Sequence, residues 1–186
     1  MSQLVIAATG ACTRPGGVSE VDRQAVARLI ASRCGELGFE ESPLIEHRST
    51  GQPYIAGSDA QISISHDMGC PVVATAAFPI GVDLQHLCEV SHSFQRRLQQ
   101  CTDGGTTPMT PSEAIQSWVA RESISKCRGT GLRDKPWQYR LTAGGSGQYE
   151  ECYWATKFLP EHGAWLGVAS LFGPVALILN GARFEY

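Results

Sequence analysis

Three stretches of the 186-residue chain carry side chains whose types and spacing could do chemistry. In Ile80-Gly81-Val82-Asp83-Leu84-Gln85 the apolar positions alternate with 81, 83 and 85, so in a strand Asp83 and Gln85 project from one polar face. Gly81 beside them lacks a side chain, which leaves room for a ligand to approach the backbone. An ordinary half-exposed strand with an aspartate near its end gives the same pattern. Further along, Trp118, Glu122 and Lys126 recur at i, i+4 and i+8 of a helix, at the edge of a stripe formed by Ile115, Val119 and Cys127. A carboxylate and an ammonium one turn apart can take a divalent cation and a phosphate together, the first as a hard oxygen ligand and the second as a point charge. The same spacing also describes a surface ion pair worth ~0.3–0.5 kcal/mol. Ser65-His66-Asp67 invites a hydrolase reading, yet adjacent residues of an extended segment face opposite ways, which excludes a Ser–His–Asp relay. His66 falls on the side of Ile62 and Ile64, where it is either packed or reaches into a site at the end of the strand. The glycine-rich phosphate loops of dinucleotide and nucleoside-triphosphate sites do not occur.

The elements that would position these groups alternate short β-like runs with helical segments. Leu4–Ala8, Ile62–Ser65, Pro71–Ala77 and Ile80–Leu84 read as strands, and Val21–Leu37 as an amphipathic helix. Gly51-Gln52-Pro53 is turn chemistry, Ser91–Gln100 is helical, and 102–110 is a Gly/Thr/Pro loop. Thr110, Pro111 and Glu113 then form an N-cap, a first-turn proline and a capping box, opening a helix expected to run to Gly129. Beyond it Trp137–Thr142, Tyr149–Phe158, Ala164–Ser170 and Ala176–Leu179 read as strands. This order predicts an α+β fold rather than a doubly wound one.

Composition narrows the function classes. With 42% hydrophobic and 18% charged residues the chain lies in the globular range, and its length suits one domain or two small lobes sharing a core. The longest apolar runs are far short of the ~20 residues of a membrane-spanning helix, and the start lacks a secretory pattern, so a cytoplasmic protein is expected. Seven scattered cysteines without zinc spacing read as reduced thiols. Net charge is -3, but residues 94–140 hold eight Lys/Arg against four Asp/Glu. A basic block of this kind suits an anionic partner or is simply a solvated face. Nucleic acid is disfavoured by a sequence pI of ≈ 5.9 and by the lack of a recognition motif.

Taken together, G-Q-P-Y at 51–54, I-S-I-S-H at 62–66, I-G-V-D-L-Q at 80–85 and W-V-A-R-E-S-I-S-K-C-R-G-T-G-L at 118–132 resemble, in order and spacing, the motifs of the 4′-phosphopantetheinyl transferases. The resemblance implies two pseudo-symmetric lobes, 1–78 and 79–186, with coenzyme A in the cleft between them and a monomeric state. It implies transfer of the phosphopantetheine arm of coenzyme A to a serine of an acyl or peptidyl carrier protein, releasing adenosine 3′,5′-bisphosphate. Asp83 and Glu122 match the family's magnesium ligands, with manganese as a substitute, and Lys126 matches the lysine on the pyrophosphate. Glu122 would also serve as base. His66 matches the 3′-phosphate contact with Ser65 beside it, and Gln52 and Pro53 match the turn against the nucleotide. The basic residues Arg96, Arg97, Arg128 and Arg133 would dock the acidic carrier.

The sequence departs from the family pattern at four of these positions. Gln85 replaces a second acid, so it would meet the metal through an amide oxygen or a water. Gln52 replaces a lysine, Arg121 replaces the lysine before Glu122 on the coenzyme A side, and Asp67 stands where a serine is common, near the expected 3′-phosphate. The competing expectation is therefore a transferase-like domain with weakened or lost catalysis that acts as a carrier-binding or assembly module.

Overall fold

A computed structural model describes residues 3–9, 24, 26–31, 35, 39–41, 43–104, 108–171, 173–180 and 182–185. Its strands and helices form a mixed α+β fold of two main sheets. The first has the order β13-β12-β1-β5-β4, from β1 (Gln3–Thr9), β4 (Gln61–Asp67), β5 (Cys70–Ala76), β12 (Val175–Leu179) and β13 (Ala182–Glu185). The second has the order β6-β11-β10-β9, from β6 (Ile80–His86), β9 (Ser146–Tyr149), β10 (Cys152–Leu159) and β11 (Ala164–Leu171). A hairpin of β2 (Ile45–His47) and β3 (Pro53–Ile55) and a parallel pair of β7 (Thr102–Asp103) and β8 (Leu141–Thr142) complete the strands described. Helical residues 26–31 (α1) lie in the N-terminal part, and α2 (His92–Gln100) and α3 (Pro111–Cys127) follow the passage between the sheets.

Alternation along the strands assigns each residue to a layer. Val72 and Ala74 of β5, Ile80, Val82 and Leu84 of β6, and Leu166 and Val168 of β11 meet in the core shared by the two sheets. Val73, of opposite parity on β5, instead packs with Leu29 and Ile30 of α1 and with Ile62 of β4. On the far side Ala120, Ile124 and Cys127 of α3 pack on Cys152, Trp154 and Ala169. The helix α3 lies unusually close because the strands beneath it carry glycine. A Cβ on Gly81 would stand 1.9 Å from the Ser123 carbonyl oxygen, and one on Gly167 2.4 Å from that of Val119. Gly81 therefore admits the helix backbone, not a ligand as its position in the sequence suggests.

The two sheets also meet edge to edge. β4 ends one sheet and β6 ends the other, and both would expose unpaired backbone groups. Side chains close the gap: Ser63 Oγ accepts from Val82 N at 3.0 Å, Ser65 Oγ from Leu84 N at 3.2 Å, and Asp67 Oδ2 from His86 N at 2.7 Å. Every second residue of β4 thus supplies an oxygen to every second N–H of β6.

The predicted capping box of α3 is present, as are the strand–turn–strand sequence through 61–86 and the helix at 92–100. Of the helix expected over 21–37, only 24 and 26–31 are described as helical residues. The strand expected at Trp137–Thr142 is reduced to β8, because Lys135 takes a left-handed conformation (φ 51°) and Pro136 opens a short 3-10 turn. The strand expected over Tyr149–Phe158 is split by a turn at Glu150, whose φ is 50°. The lobe boundary needs correction at its C-terminal end. The chain does pass between sheets at 77–79, but β12 returns to pair in parallel with β1, so 175–185 belong to the first sheet and not to a separate 79–186 unit.

Candidate active site

Asp83 is 3% exposed and faces α3 from the middle of β6. Its Oδ1 accepts from Ser65 Oγ and from Lys126 Nζ, both at 2.7 Å. Its Oδ2 is buried and has no hydrogen-bond donor among the described residues. Glu122, half-buried one turn before Lys126 on α3, brings its carboxyl group within hydrogen-bonding reach of Asp83. When both acids are ionised neither can donate, which leaves Oδ2 unsatisfied; a proton on Glu122 relieves it. Burial first, and then the Asp83 charge, accordingly push Glu122 up to about 7, with Lys126 opposing them. Asp83, Glu122 and Lys126 are thus brought together, as the resemblance implies; sequence spacing alone relates only Glu122 to Lys126.

This arrangement fits a divalent cation. Two converging carboxylates, one with an orphaned buried oxygen, are set against a single ammonium, which leaves a site short of positive charge. No cluster of three or more His, Cys, Asp or Glu side chains suited to a metal exists among the described residues. Magnesium, which takes one or two carboxylates and fills its shell with water and phosphate oxygens, suits such a donor set better than zinc does. Gln85 shares the Asp83 face, but its amide nitrogen is held by Asp67 Oδ2 at 3.0 Å, leaving only its amide oxygen to approach a metal.

A cleft opens from Lys126 toward the β2–β3 hairpin. One cavity, of about 200 Å³, is lined by Gln52, Pro53, Ile64, Lys126, Gly129 and Gly131. A second, of about 430 Å³, adjoins it through Gly51, Pro53 and Ile64 and is lined by His47, His66 and Ile30. Gln52, Pro53, His66 and Lys126 therefore share one cleft, with the Gln52 side chain against the backbone of Gly129. His47, Gly129 and Gly131 were missed from the sequence; the positive φ angles of the two glycines mark the loop that follows α3.

Two expected coenzyme A contacts lie elsewhere. Ser65 is buried and faces away from His66, engaged with Asp83 and Leu84 N, because neighbours on a strand alternate. Arg121 is fully buried: it donates to Ser117 O at 3.0 Å, to Ser117 Oγ, to Cys101 O at 2.7 Å and to Thr102 Oγ1 at 3.2 Å. Burial lowers its pKa to about 10. The guanidinium ties α3 to the end of α2. Asp67 also turns from the His66 side, binding Gln85 and His86 instead, so no acid from this position enters the cleft wall beside His66.

The basic block is less uniform than its composition. Arg128 pairs with Glu150 at 2.8 Å and Asp134 at 3.6 Å, and Arg140 pairs with Asp103 at 2.7 Å. Arg96, Arg97, Arg133 and Lys135 are exposed and make no ion pair among the described residues. No helix described here is long and apolar enough to cross a membrane. No protein-family model matches the chain, and no curated protein matches its sequence.

Proposed function

We propose that the chain is a magnesium-dependent 4′-phosphopantetheinyl transferase that modifies a serine of an acyl or peptidyl carrier protein. The observation that carries this reading is the convergence of Asp83 and Glu122 beside Lys126, with a buried carboxylate oxygen left without a donor, at the end of a cleft lined by Gln52, Pro53 and His66. Asp83 and Glu122 would hold magnesium, whose charge, when present, offsets that of the pyrophosphate. Ser65 fixes the rotamer of Asp83 through a buried hydrogen bond. Lys126 stands where negative charge grows on the departing adenosine bisphosphate. The carrier serine oxygen forms a bond to the β-phosphorus of coenzyme A as the bond to the bisphosphate oxygen breaks. The serine proton passes to Glu122, directly or through a water.

One observation favours the alternative of a carrier-binding module with weakened catalysis. Arg121 is withdrawn from the cleft and Gln52 is neutral, so two cations expected on the nucleotide side are missing. Mass spectrometry of an apo carrier protein incubated with this chain, coenzyme A and magnesium separates the readings. A phosphopantetheine adduct that disappears with Asp83→Asn supports the transferase; carrier binding without any adduct supports the module.

A further inference from the structure

Lys126 serves the carboxylate pair and the cleft at once. Its Nζ donates to Asp83 Oδ1 at 2.7 Å and lies 3.5 Å from the Ile64 carbonyl oxygen, while its partly exposed side chain forms part of the wall of the cavity of about 200 Å³. We propose that Lys126 is a gate: its ammonium closes Asp83 to free magnesium, and a diphosphate ester in the cleft opens the site by drawing the ammonium away. The chain then takes up metal and diphosphate together rather than metal first. This deepens the transferase reading and rests on it.

Three observations support the gate. The first is access. Asp83 is buried, its Oδ2 is closed to solvent, and it is not part of the cavity wall, whereas Lys126, bonded to it, is. A cation arriving from the cleft therefore meets the ammonium before the carboxylate, and like charges repel strongly where water is scarce. The second is demand for the ammonium. Lys126 is the only lysine or arginine among the described residues that line the two cavities, Gln52 being neutral and Arg121 bound to the end of α2. A diphosphate in the cleft has no other permanent cation to draw on there, and an ammonium on a flexible four-carbon stem can follow it. The third is that Asp83 does not depend on Lys126 for its position. Ser65 Oγ, buried and fixed by the Leu84 N–H at 3.2 Å, donates to the same Oδ1 at 2.7 Å. When the ammonium leaves, Asp83 keeps its place with its charge uncompensated, which suits a divalent cation that fills the rest of its shell with phosphate oxygens. Because the exchange links two binding events, the coupling is reciprocal: metal tightens diphosphate by the factor with which diphosphate tightens metal.

The test is manganese binding to the full chain, read from the electron-spin resonance of the free ion, first without nucleotide and then with coenzyme A. Lys126→Met is expected to bind manganese alone about tenfold more tightly than wild type, within the range ordinary for coupled sites. Loss of a merely structural lysine would weaken metal binding or leave it unchanged, so a gain in affinity reports the gate. Coenzyme A should tighten manganese several-fold less in the variant than in wild type, because the variant is already open. Should Lys126→Met fail to fold, Lys126→Gln keeps a donor for Asp83 without the charge and carries the same expectation. Manganese bound no more tightly by the folded variant than by wild type overturns the gate and leaves the transferase reading standing. No manganese bound by wild type even with coenzyme A overturns that reading and the gate with it.

Discussion

Replacing Glu122 by Gln removes one of two acids that share a buried pocket with a single lysine, and it should make the metal-free protein more stable in alkali. The ordinary carboxyl value of 4.5 is raised to about 7 in the fold. A group whose folded pKa is raised binds more protons folded than unfolded between those values. Stability of the wild-type chain therefore falls as pH climbs from about 4.5 to 7 and levels off above. At 1.36 kcal/mol per pH unit the interval is worth about 3 kcal/mol, an upper bound for a side chain that retains some solvent contact. Glu122→Gln keeps an amide donor for Asp83 Oδ2 and abolishes the titration. Urea denaturation with a chelator at pH 5 and pH 8 should show matched stabilities at the lower pH and a more stable variant at the higher one. Adding magnesium at pH 8 should stabilise wild type by about 1.4 kcal/mol at ten times its Kd, and should stabilise the variant much less. Wild-type stability that is flat from pH 5 to 8, or that falls in parallel in the variant, would refute the placement of the two acids.

Ser65→Ala should cost about 1–3 kcal/mol by stripping a buried donor from Asp83, and should raise the magnesium concentration needed for transfer while leaving coenzyme A affinity within twofold; a selective coenzyme A defect would place Ser65 in the cleft after all. Arg121→Lys cannot reproduce the forked bonds to Ser117, Cys101 and Thr102, so thermal unfolding should come several degrees earlier with coenzyme A affinity retained, and the reverse outcome would mean a direct ligand role. His66→Ala should weaken coenzyme A more than 3′-dephospho-coenzyme A in calorimetric titrations; equal losses would leave His66 a wall residue only. Charge reversal at Arg96 and Arg97 should raise the apparent KM for an acidic carrier and flatten its salt dependence, and unchanged carrier kinetics would move docking elsewhere.

Much of the local fold can be read directly from the chain because its signals are short-range. The Thr110/Glu113 capping box lies within one turn, and the shared face of Asp83 and Gln85 follows from a period of two. What escapes is non-local or conflicts with residue type. No local pattern announces that β12 will pair with β1 across nearly the whole chain, a parallel contact whose partners lie at opposite ends of the sequence. Arginine is ordinarily assigned to the surface, so nothing in the sequence marks Arg121 as the largest fully buried side chain among the described residues.

The position of Ser65, by contrast, follows from strand parity alone. Alternation that forbids a Ser65–His66–Asp67 relay also forbids Ser65 and His66 from serving one ligand. The S-I-S-H-D run then has a plain physical reading: Ser63, Ser65 and Asp67 present oxygens every second residue on one face, while Ile62, Ile64 and His66 take the other. A run of oxygens at period two cannot join a hydrophobic core without partners, and the partners are the edge N–H groups of β6. Closing that edge sets the position of Asp83, because Ser65 binds the Leu84 N–H and the Asp83 carboxylate together. The opposite face of the same strand lines the cleft through Ile64 and His66. β4 thus turns Ser65 toward Asp83 on one face and Ile64 and His66 toward the cleft on the other, and a one-residue slip in its register would exchange the two faces and destroy both.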